Sequence, residues 1–290
     1  MQLKLITYNI GGLPEVLDLR ELPWLLRPVA WIYHLMKGTT LIRVNSDGRS
    51  ALTERISEYC DGADIVAVQE DFNYHDDLLS HLQAYQTGRH GGEVTLRGLF
   101  SRVEWRSLFP LPRLKADGLC LLVKPSRVEI LQEETVGWRK SCGYFGHAND
   151  ALTHKGFRYY QVSIDGTVLV DVYNVHMDAD FGGDNRKDYQ ARWQQVKQLT
   201  EYIADRACQQ PVIIMGDTNA DSFFMDSLLD VPGYTVTEAR TDRDSIDRIY
   251  MLNTWTSQWR IAVRDSWQDM EAGKLSDHYP TVAVVEISHR

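Results

Sequence analysis

The chain has 290 residues, of which 43% are hydrophobic and 24% charged, and its formal net charge is −9. This length is sufficient for one large domain or two small ones. No basic run is present, which argues against a non-specific nucleic-acid binder, although net charge does not report on a local cleft.

The four cysteines are widely spaced and form no CxxC pair, which excludes zinc-finger and thioredoxin-type sites. We expect buried free thiols rather than disulfides. The apolar stretches are shorter than the ~18 residues of a spanning helix. No signal-peptide pattern is visible, so we expect a cytoplasmic protein, or an exported one whose leader has been removed.

In chain order, the apolar pattern first predicts a strand at residues 3–10 and then an unusual apolar insert at residues 13–48. Next come a helix over residues 50–60, a buried strand over residues 64–69 and a short helix over residues 76–84.

The chain from residue 118 onwards is also rich in predicted strands. Asp165-Gly166 predicts a tight hairpin turn between two of them. The predicted strands are 118–123, 157–164, 167–175, 211–216, 246–251 and 281–287, and one long amphipathic helix covers 188–207. Neither a repeat nor a linker interrupts the chain, which favours a single α+β domain of two packed sheets with helices outside.

Polar residues stand at or just after the ends of these strands, in the segments DIVAVQE, VYNVH, VIIMGDTN, SIDRIY and KLSDH. The residues are Asn9, Glu70, His176, Asp217, Asn219, Asp247, Asp277 and His278. The ends of strands in a packed core hold their side chains in fixed positions, and polar groups from several strands can meet at one edge of the core.

This set has the composition of a metal-dependent hydrolase site. Carboxylate and amide oxygens suit Mg²⁺, and histidines with an ordinary pKa of ~6.5 suit acid–base work. Metal, histidine and aspartate together favour phosphoester hydrolysis. Each residue alone has an ordinary explanation as a turn residue, strand end or ion pair, so their joint occurrence carries the prediction.

Seven segments resemble the endonuclease/exonuclease/phosphatase superfamily, which has the DNase I-like fold: TYNIGG, VAVQED, ADGLCLL, NVHMDAD, MGDTNAD, IDRIY and LSDHYPTVAVV. The resemblance implies an α/β (α+β) four-layer sandwich, in which two central, mainly antiparallel sheets are flanked by helices. It also implies one domain over residues 1–290, with the insert at 13–48.

The resemblance implies a role for each matched residue. The expected ligands of Mg²⁺, with Mn²⁺ or Ca²⁺ as alternatives, are Asn9, Glu70 and Asp277. Asp217 and Asn219 would orient the attacking water and the phosphate. His278 would be the general base, oriented by Asp247, and His176 would contact the phosphate and assist the leaving group. The expected substrate contacts are Asp117, Asp178 and Arg248.

The substrate remains open between classes. HKGFRYY and RWQQVKQL are similar to sphingomyelinase-type members, whereas DRIY and SDHYP are similar to DNase I. The apolar segment at residues 22–38 is either a buried lid or an anchor at a lipid surface. We rank a phospholipid or sphingolipid phosphodiesterase first and a DNase I-like endonuclease second, so membrane lipid or nucleic acid is the expected partner of a monomer. An inositol-phosphate-type phosphomonoesterase and an inactive binding module are further alternatives.

Overall fold

The structure is a computed structural model that describes residues 1–11, 46–72, 74–89, 117–142, 154–180, 186–206, 209–241, 245–270 and 275–290. Most of the apolar insert predicted at 13–48, including the whole 22–38 segment, lies outside these residues. The two readings of that segment therefore stay predictions.

The described residues form twelve strands and four helices. The strands are β1 Gln2–Asn9, β2 Ile65–Gln69, β3 Gln86–Thr87, β4 Cys120–Val123, β5 Val128–Gly137, β6 Gly156–Ile164, β7 Val168–His176, β8 Val212–Asp217, β9 Tyr234–Glu238, β10 Asp247–Thr254, β11 Trp259–Gln268 and β12 Thr281–His289. The helices are α1 Ser46–Cys60, α2 His75–His81, α3 Arg186–Asp205 and α4 Ser222–Leu228.

The strands form two six-stranded sheets with related topologies. One sheet has the order β11-β12-β1-β2-β4-β3, and the other has the order β5-β6-β7-β8-β10-β9. Among the described strands, only the β1–β2 pair and the β7–β8 pair are parallel. The predicted fold of two central, mainly antiparallel sheets is therefore confirmed.

Three hydrophobic clusters divide the molecule into four layers. The central cluster joins both sheets, with Leu5 and Ala283 from one sheet facing Val170 and Ile213 from the other. A second cluster packs α3 and α4 on the outer face of the sheet that contains β8. A third cluster packs α1 and α2 on the outer face of the sheet that contains β1. Burial on both faces explains why the central strands read as continuous apolar runs.

The four strands that sequence analysis missed are β3, β5, β9 and β11, and all four are sheet edges. Their residues are half-exposed, as the burial of β5 and β9 illustrates, so no continuous apolar run marks them. Helix α4 was also missed, and α1 begins at Ser46, four residues before the predicted start. The hairpin at Asp165-Gly166 is confirmed, since both residues have positive φ, at 46° and 68°, as a type I′ turn requires.

A buried polar bridge fixes the two sheets against each other below one end of the sandwich. Asn174 on β7 accepts a hydrogen bond from Gln69 Nε2 on β2 at 2.7 Å. Its own amide donates to the carbonyls of Val68 and Cys120 at 3.0 Å and 2.8 Å. Because buried polar groups are costly unless paired, these bonds favour one alignment of the sheets.

Three cysteines fall within the described residues, and these form no disulfide. Cys60 and Cys120 are buried thiols, as expected, whereas Cys142 is half-exposed. Within the same residues, the helices are all too short or too polar to cross a membrane.

Candidate active site

The predicted site residues meet at one end of the sandwich, because each sheet brings three strand ends there. In one sheet, the parallel strands β1 and β2 end at Asn9 and Gln69, and β12 begins beside them. In the other sheet, His176 on β7 and Asp247 on β10 are both register partners of Asp217 on β8. The two groups touch directly, since Asn9 Nδ2 donates to Asp217 Oδ2 at 3.0 Å.

Gly216 allows β8 to approach β7 closely. A Cβ on Gly216 would lie 2.0 Å from the carbonyl oxygen of Val175, and its φ is 150°. Strand β8 continues through Gly216 to Asp217, one residue beyond the predicted end at residue 216. The reason for a glycine is steric, and the turn comes later, at Asn219, where φ is 47°.

Asp217 is the buried centre of the cluster, with an exposed fraction of 1%. Its Oδ1 accepts the backbone N–H of Asn219 at 2.9 Å. The Asn219 side chain in turn donates to the carbonyl of Met177 at 3.0 Å. These bonds hold the strained turn that follows β8.

His278 and Asp247 form a hydrogen-bonded dyad. The Nδ1 atom of His278 lies 2.8 Å from Asp247 Oδ2, and its Nε2 atom lies 3.8 Å from Asp217 Oδ2. Burial raises the pKa of Asp247 above its ordinary value. Burial alone would lower the pKa of His278, but the carboxylates of Asp217, Asp247 and Asp277 raise it to about 10. The dyad fixes Nδ1 on Asp247 and leaves Nε2 facing the site.

His176 lies between two carboxylates, a contact that sequence analysis did not find. Its Nε2 atom is 3.5 Å from Asp217 Oδ2 and 3.8 Å from Glu70 Oε1. Burial, followed by the charges of Lys155 and His278, lowers the pKa of His176 well below its ordinary value. The imidazole is therefore neutral at pH 7 and can donate one N–H.

Glu70 follows β2 in a strained backbone conformation, with φ at 57°. Its side chain is 16% exposed. Burial raises the pKa of this carboxyl to about 7, and the nearby charges of Asp217 and Asp277 act in the same direction. A left-handed glutamate costs on the order of 1–3 kcal/mol, and such strain is concentrated at functional sites.

Ser276 organises the rim of the site, although sequence analysis gave it no role. Its hydroxyl donates to the Asn9 carbonyl at 2.7 Å, accepts the N–H of His278 at 3.2 Å and lies 3.2 Å from Asp277 Oδ1. Asp277 itself is exposed at the mouth of the site. The sequence signal for this serine is the segment LSDH, in which it directly precedes Asp277 and His278.

The residues predicted to hold a metal offer suitable donors. Asn9 supplies an amide, and Glu70 and Asp277 supply carboxylates. The charge of Asp277 raises the pKa of both Glu70 and His278. The ligand atoms of Asp217, Asp247 and His278 lie within 4.8 Å of one another. Asp247 Oδ1 is buried without a hydrogen-bond partner among the described residues. Buried carboxylates at Asp217 and Asp247, with Glu70 and Asp277 nearer the mouth, form a mutually repelling set that fits a hard divalent cation.

The three residues predicted to contact substrate are all buried and bonded within the protein. Asp117 receives two hydrogen bonds from Arg158, at 2.7 Å and 2.9 Å. Asp178 Oδ2 accepts the backbone N–H of Cys142. The Arg248 guanidinium binds the Ala220 carbonyl, the Ser222 hydroxyl and Glu238. These placements favour structural roles over the expected substrate contacts.

A family model described as Endonuclease/Exonuclease/phosphatase family matches residues 6–278. Among characterised relatives, the sphingomyelinase of Mycobacterium tuberculosis (strain H37Rv) is 27% identical over 217 residues, which is 74% of this chain and 34% of that protein. The chain thus matches about a third of the length of this relative.

Solved structures with the same architecture include a sphingomyelinase, a toxin with bound magnesium ions and a protein complexed with a DNA product. Sphingomyelinase C from Streptomyces griseocarneus has a TM-score of 0.62 at 20% identity, covering 98% of this chain and 99% of that one. Beta toxin from Staphylococcus aureus with bound magnesium ions has a TM-score of 0.61 at 18% identity, with 98% and 99% covered. D. rerio TDP2 complexed with a single strand DNA product has a TM-score of 0.62 at 16% identity, again with 98% and 99% covered. At these identities the likeness concerns the fold.

Proposed function

Because the chain belongs to the Endonuclease/Exonuclease/phosphatase family, we propose that it is a metal-dependent phosphodiesterase acting on a phospholipid or sphingolipid headgroup. The observation that carries this proposal is the meeting of six strand ends around Asp217. They bring a strained Glu70, the His278–Asp247 dyad and the neutral His176 within reach of one substrate group. A binding module has no need of this combination.

Asn9, Glu70 and Asp277 would hold the cation, and Mg²⁺ is our first choice because every expected donor is oxygen. When bound, the cation would neutralise part of the phosphate charge and offset the carboxylates that raise the pKa of His278. Asp217 lies 3.0 Å from Asn9, and together with Asn219 it would orient the phosphate and the attacking water.

Each histidine has one role in the proposed hydrolysis. His278 Nε2 takes a proton from water as the water oxygen attacks phosphorus, while Asp247 holds the ring by Nδ1. The bond between phosphorus and the alcohol oxygen breaks. His176 donates its N–H to that leaving oxygen, which then takes up a proton from solvent. The products are the phosphomonoester and the alcohol.

Two observations favour lipid. The first is the 27% identical sphingomyelinase, and the second is Phe223, which is 84% exposed on α4. This helix begins directly after the Asp217–Asn219 turn, so Phe223 lies at the site end of the sandwich. Exposed aromatic side chains at such a position suit the boundary between lipid and water.

A nuclease is the second candidate. The structural likeness to TDP2 with a DNA product supports it, as do the segments DRIY and SDHYP. The net charge of −9 argues against it, because nucleic-acid affinity depends largely on basic residues near the phosphates.

A substrate panel distinguishes these classes. The purified protein with Mg²⁺ should hydrolyse sphingomyelin or phosphatidylcholine faster than plasmid DNA, RNA or inositol phosphates. Excess chelator should abolish turnover, and added Mg²⁺ or Mn²⁺ should restore it. Full activity in chelator would contradict the metal requirement. Faster hydrolysis of DNA than of lipid would favour the nuclease over the lipid phosphodiesterase.

Phe223→Ser should reduce both binding to sphingomyelin vesicles and turnover on them by about tenfold or more, since a buried Phe is worth roughly 1.5–3 kcal/mol. Hydrolysis of a soluble short-chain analogue should be unchanged. The measurements are vesicle sedimentation and initial rates on both substrates.

Trp255→Ser provides a matched control. Trp255 is 81% exposed and follows Thr254, the last residue of β10. Asp247 is the first residue of that strand, so at ~3.4 Å per residue the far end of β10 lies about 24 Å from the site. Its replacement should change neither vesicle binding nor turnover. An equal loss for both variants, or a Phe223→Ser loss on the soluble analogue, would contradict a lipid contact at α4.

A further inference from the structure

Lys155 is a buried cation beside the proposed site, and it has no part in the roles assigned above. It immediately precedes β6, and its exposed fraction is 9%. Its Nζ atom donates to the carbonyl of Met177, the residue after His176, at 3.1 Å.

The backbone around Lys155 is held in place from two sides. A Cβ on Gly156 would lie 2.2 Å from the Val136 carbonyl, so only glycine lets β6 begin this close to β5. The Trp138 N–H then bonds the Lys155 carbonyl at 3.1 Å, and the Trp138 indole N–H bonds the His176 carbonyl at 2.7 Å. Trp138 thus ties the start of β6 to the catalytic end of β7.

The sheet register brings Lys155 to the site. Phe157 pairs with Val175, so two further steps along the same antiparallel register place Lys155 opposite Met177. Asn219 Nδ2 also donates to the Met177 carbonyl. Two nitrogens that each lie about 3 Å from one oxygen are within about 6 Å of each other, so the Lys155 ammonium lies close to the Asn219 amide.

The positive charge of Lys155 acts on Glu70 and His176, the two groups that face the substrate. Burial is the largest effect on both groups, and it raises the pKa of Glu70 and lowers the pKa of His176. The next largest effect on each is the positive charge of Lys155, which lowers both pKa values. Electrostatic influence on both groups agrees with the position given by the hydrogen bonds.

We propose that Lys155 is a catalytic residue whose ammonium binds an unesterified oxygen of the substrate phosphate and stabilises the negative charge that develops there during hydrolysis. This inference rests on the proposed phosphoester chemistry and adds a permanent protein cation to it. The four carboxylates around the site repel an anionic substrate, and a fixed ammonium counteracts that repulsion without reorganisation.

The test compares three variants. Lys155→Met removes the charge and keeps an unbranched side chain of similar length, whereas Lys155→Arg keeps the charge. Lys124→Met is the matched control, because Lys124 follows β4 at the opposite end of the sandwich and pairs with Asp61. Thermal unfolding of all variants reports any loss of structure.

Three measurements give the expected pattern. Lys155→Met should bind inorganic phosphate in excess chelator about tenfold more weakly than wild type, by calorimetry. It should bind Mg²⁺ at least about fivefold more tightly, because a cation beside Glu70 has been removed. On the best substrate of the panel, kcat should fall about 10²-fold with a smaller change in KM, and Lys155→Arg should recover most of it. Lys124→Met should match wild type throughout.

The sign of the Mg²⁺ effect separates charge from structure. If Lys155 only supports the Met177 carbonyl, Lys155→Met should weaken phosphate and Mg²⁺ binding together and lower the melting temperature, and this result would overturn the inference. Wild-type phosphate affinity and kcat in Lys155→Met would overturn it too. If no panel substrate is hydrolysed but phosphate binding still depends on Lys155, the proposed function fails while the phosphate contact is supported.

Discussion

His278→Ala should lower kcat about 10²–10⁴-fold, the usual contribution of a general base. The reason is geometric, because Nε2 faces the cluster around Asp217 while Nδ1 is held 2.8 Å from Asp247. Asp247→Asn should also lower kcat, and the double variant should lose little beyond His278→Ala, since the two residues act as one unit. Single-turnover rates at saturating substrate measure the chemical step.

His289→Ala is the matched control for this prediction. His289 ends β12, the strand that begins just after His278, and therefore lies at the opposite end of the sandwich. His176→Ala separates the two histidines: it should lose less activity on an activated aryl-phosphate ester, whose leaving oxygen needs no hydrogen bond, whereas His278→Ala should lose equally on both substrates. Equal leaving-group dependence in the two variants would refute the assignment of roles.

Glu70→Gln should lower turnover about 10³-fold or more, since a metal ion supplies several kcal/mol of charge stabilisation and Glu70 is its principal expected ligand. The same change should alter how the stability of the metal-free protein depends on pH. The folded-state pKa of Glu70 is about 7, above its ordinary value of 4.5. Its contribution to the free energy of unfolding is therefore fully present below pH 4.5 and is lost as pH rises through 7.

Denaturant unfolding in chelator at pH 5 and pH 8 measures this effect. Wild type should lose stability between the two pH values, and Glu70→Gln should lose less, by up to about 3 kcal/mol at about 1.4 kcal/mol per pKa unit. Saturating Mg²⁺ should restore wild type at pH 8 but not the variant. The control is Glu129→Gln, an exposed glutamate on β5, which should behave as wild type. A variant with normal turnover, or with the wild-type pH response, would rule out this role for Glu70.

These two predictions describe one physical arrangement. The site collects carboxylates that repel one another in the metal-free protein, and it holds Glu70 and Asn219 in left-handed backbone conformations. Both features reduce stability, and both are maintained by the surrounding sheets. We infer that a bound cation recovers part of this cost.

The types and chain positions of the site residues were available from the sequence alone. Apolar runs predicted the central strands, and polar residues at their ends predicted Asn9, Glu70, His176, Asp217 and His278 as one cluster. This worked because the central strands are buried on both faces, so a carboxylate or imidazole at the end of such a run stands out. The Asp165-Gly166 turn was equally local, since two consecutive positive φ angles depend on the residues themselves.

Other features were decided only by tertiary structure, because they depend on which strands become neighbours. Gly216 is required by the carbonyl of Val175, a residue 41 positions earlier in the chain, and not by a local turn. Arg248 and Asp117 were expected to contact substrate, and only the folded structure shows which protein groups each of them binds. Lys155 is an ordinary lysine in the sequence, and only the pairing of β6 with β7 puts its ammonium beside Met177 and the proposed phosphate. Local patterns determine which residues end a strand, whereas long-range packing determines what each of those residues touches.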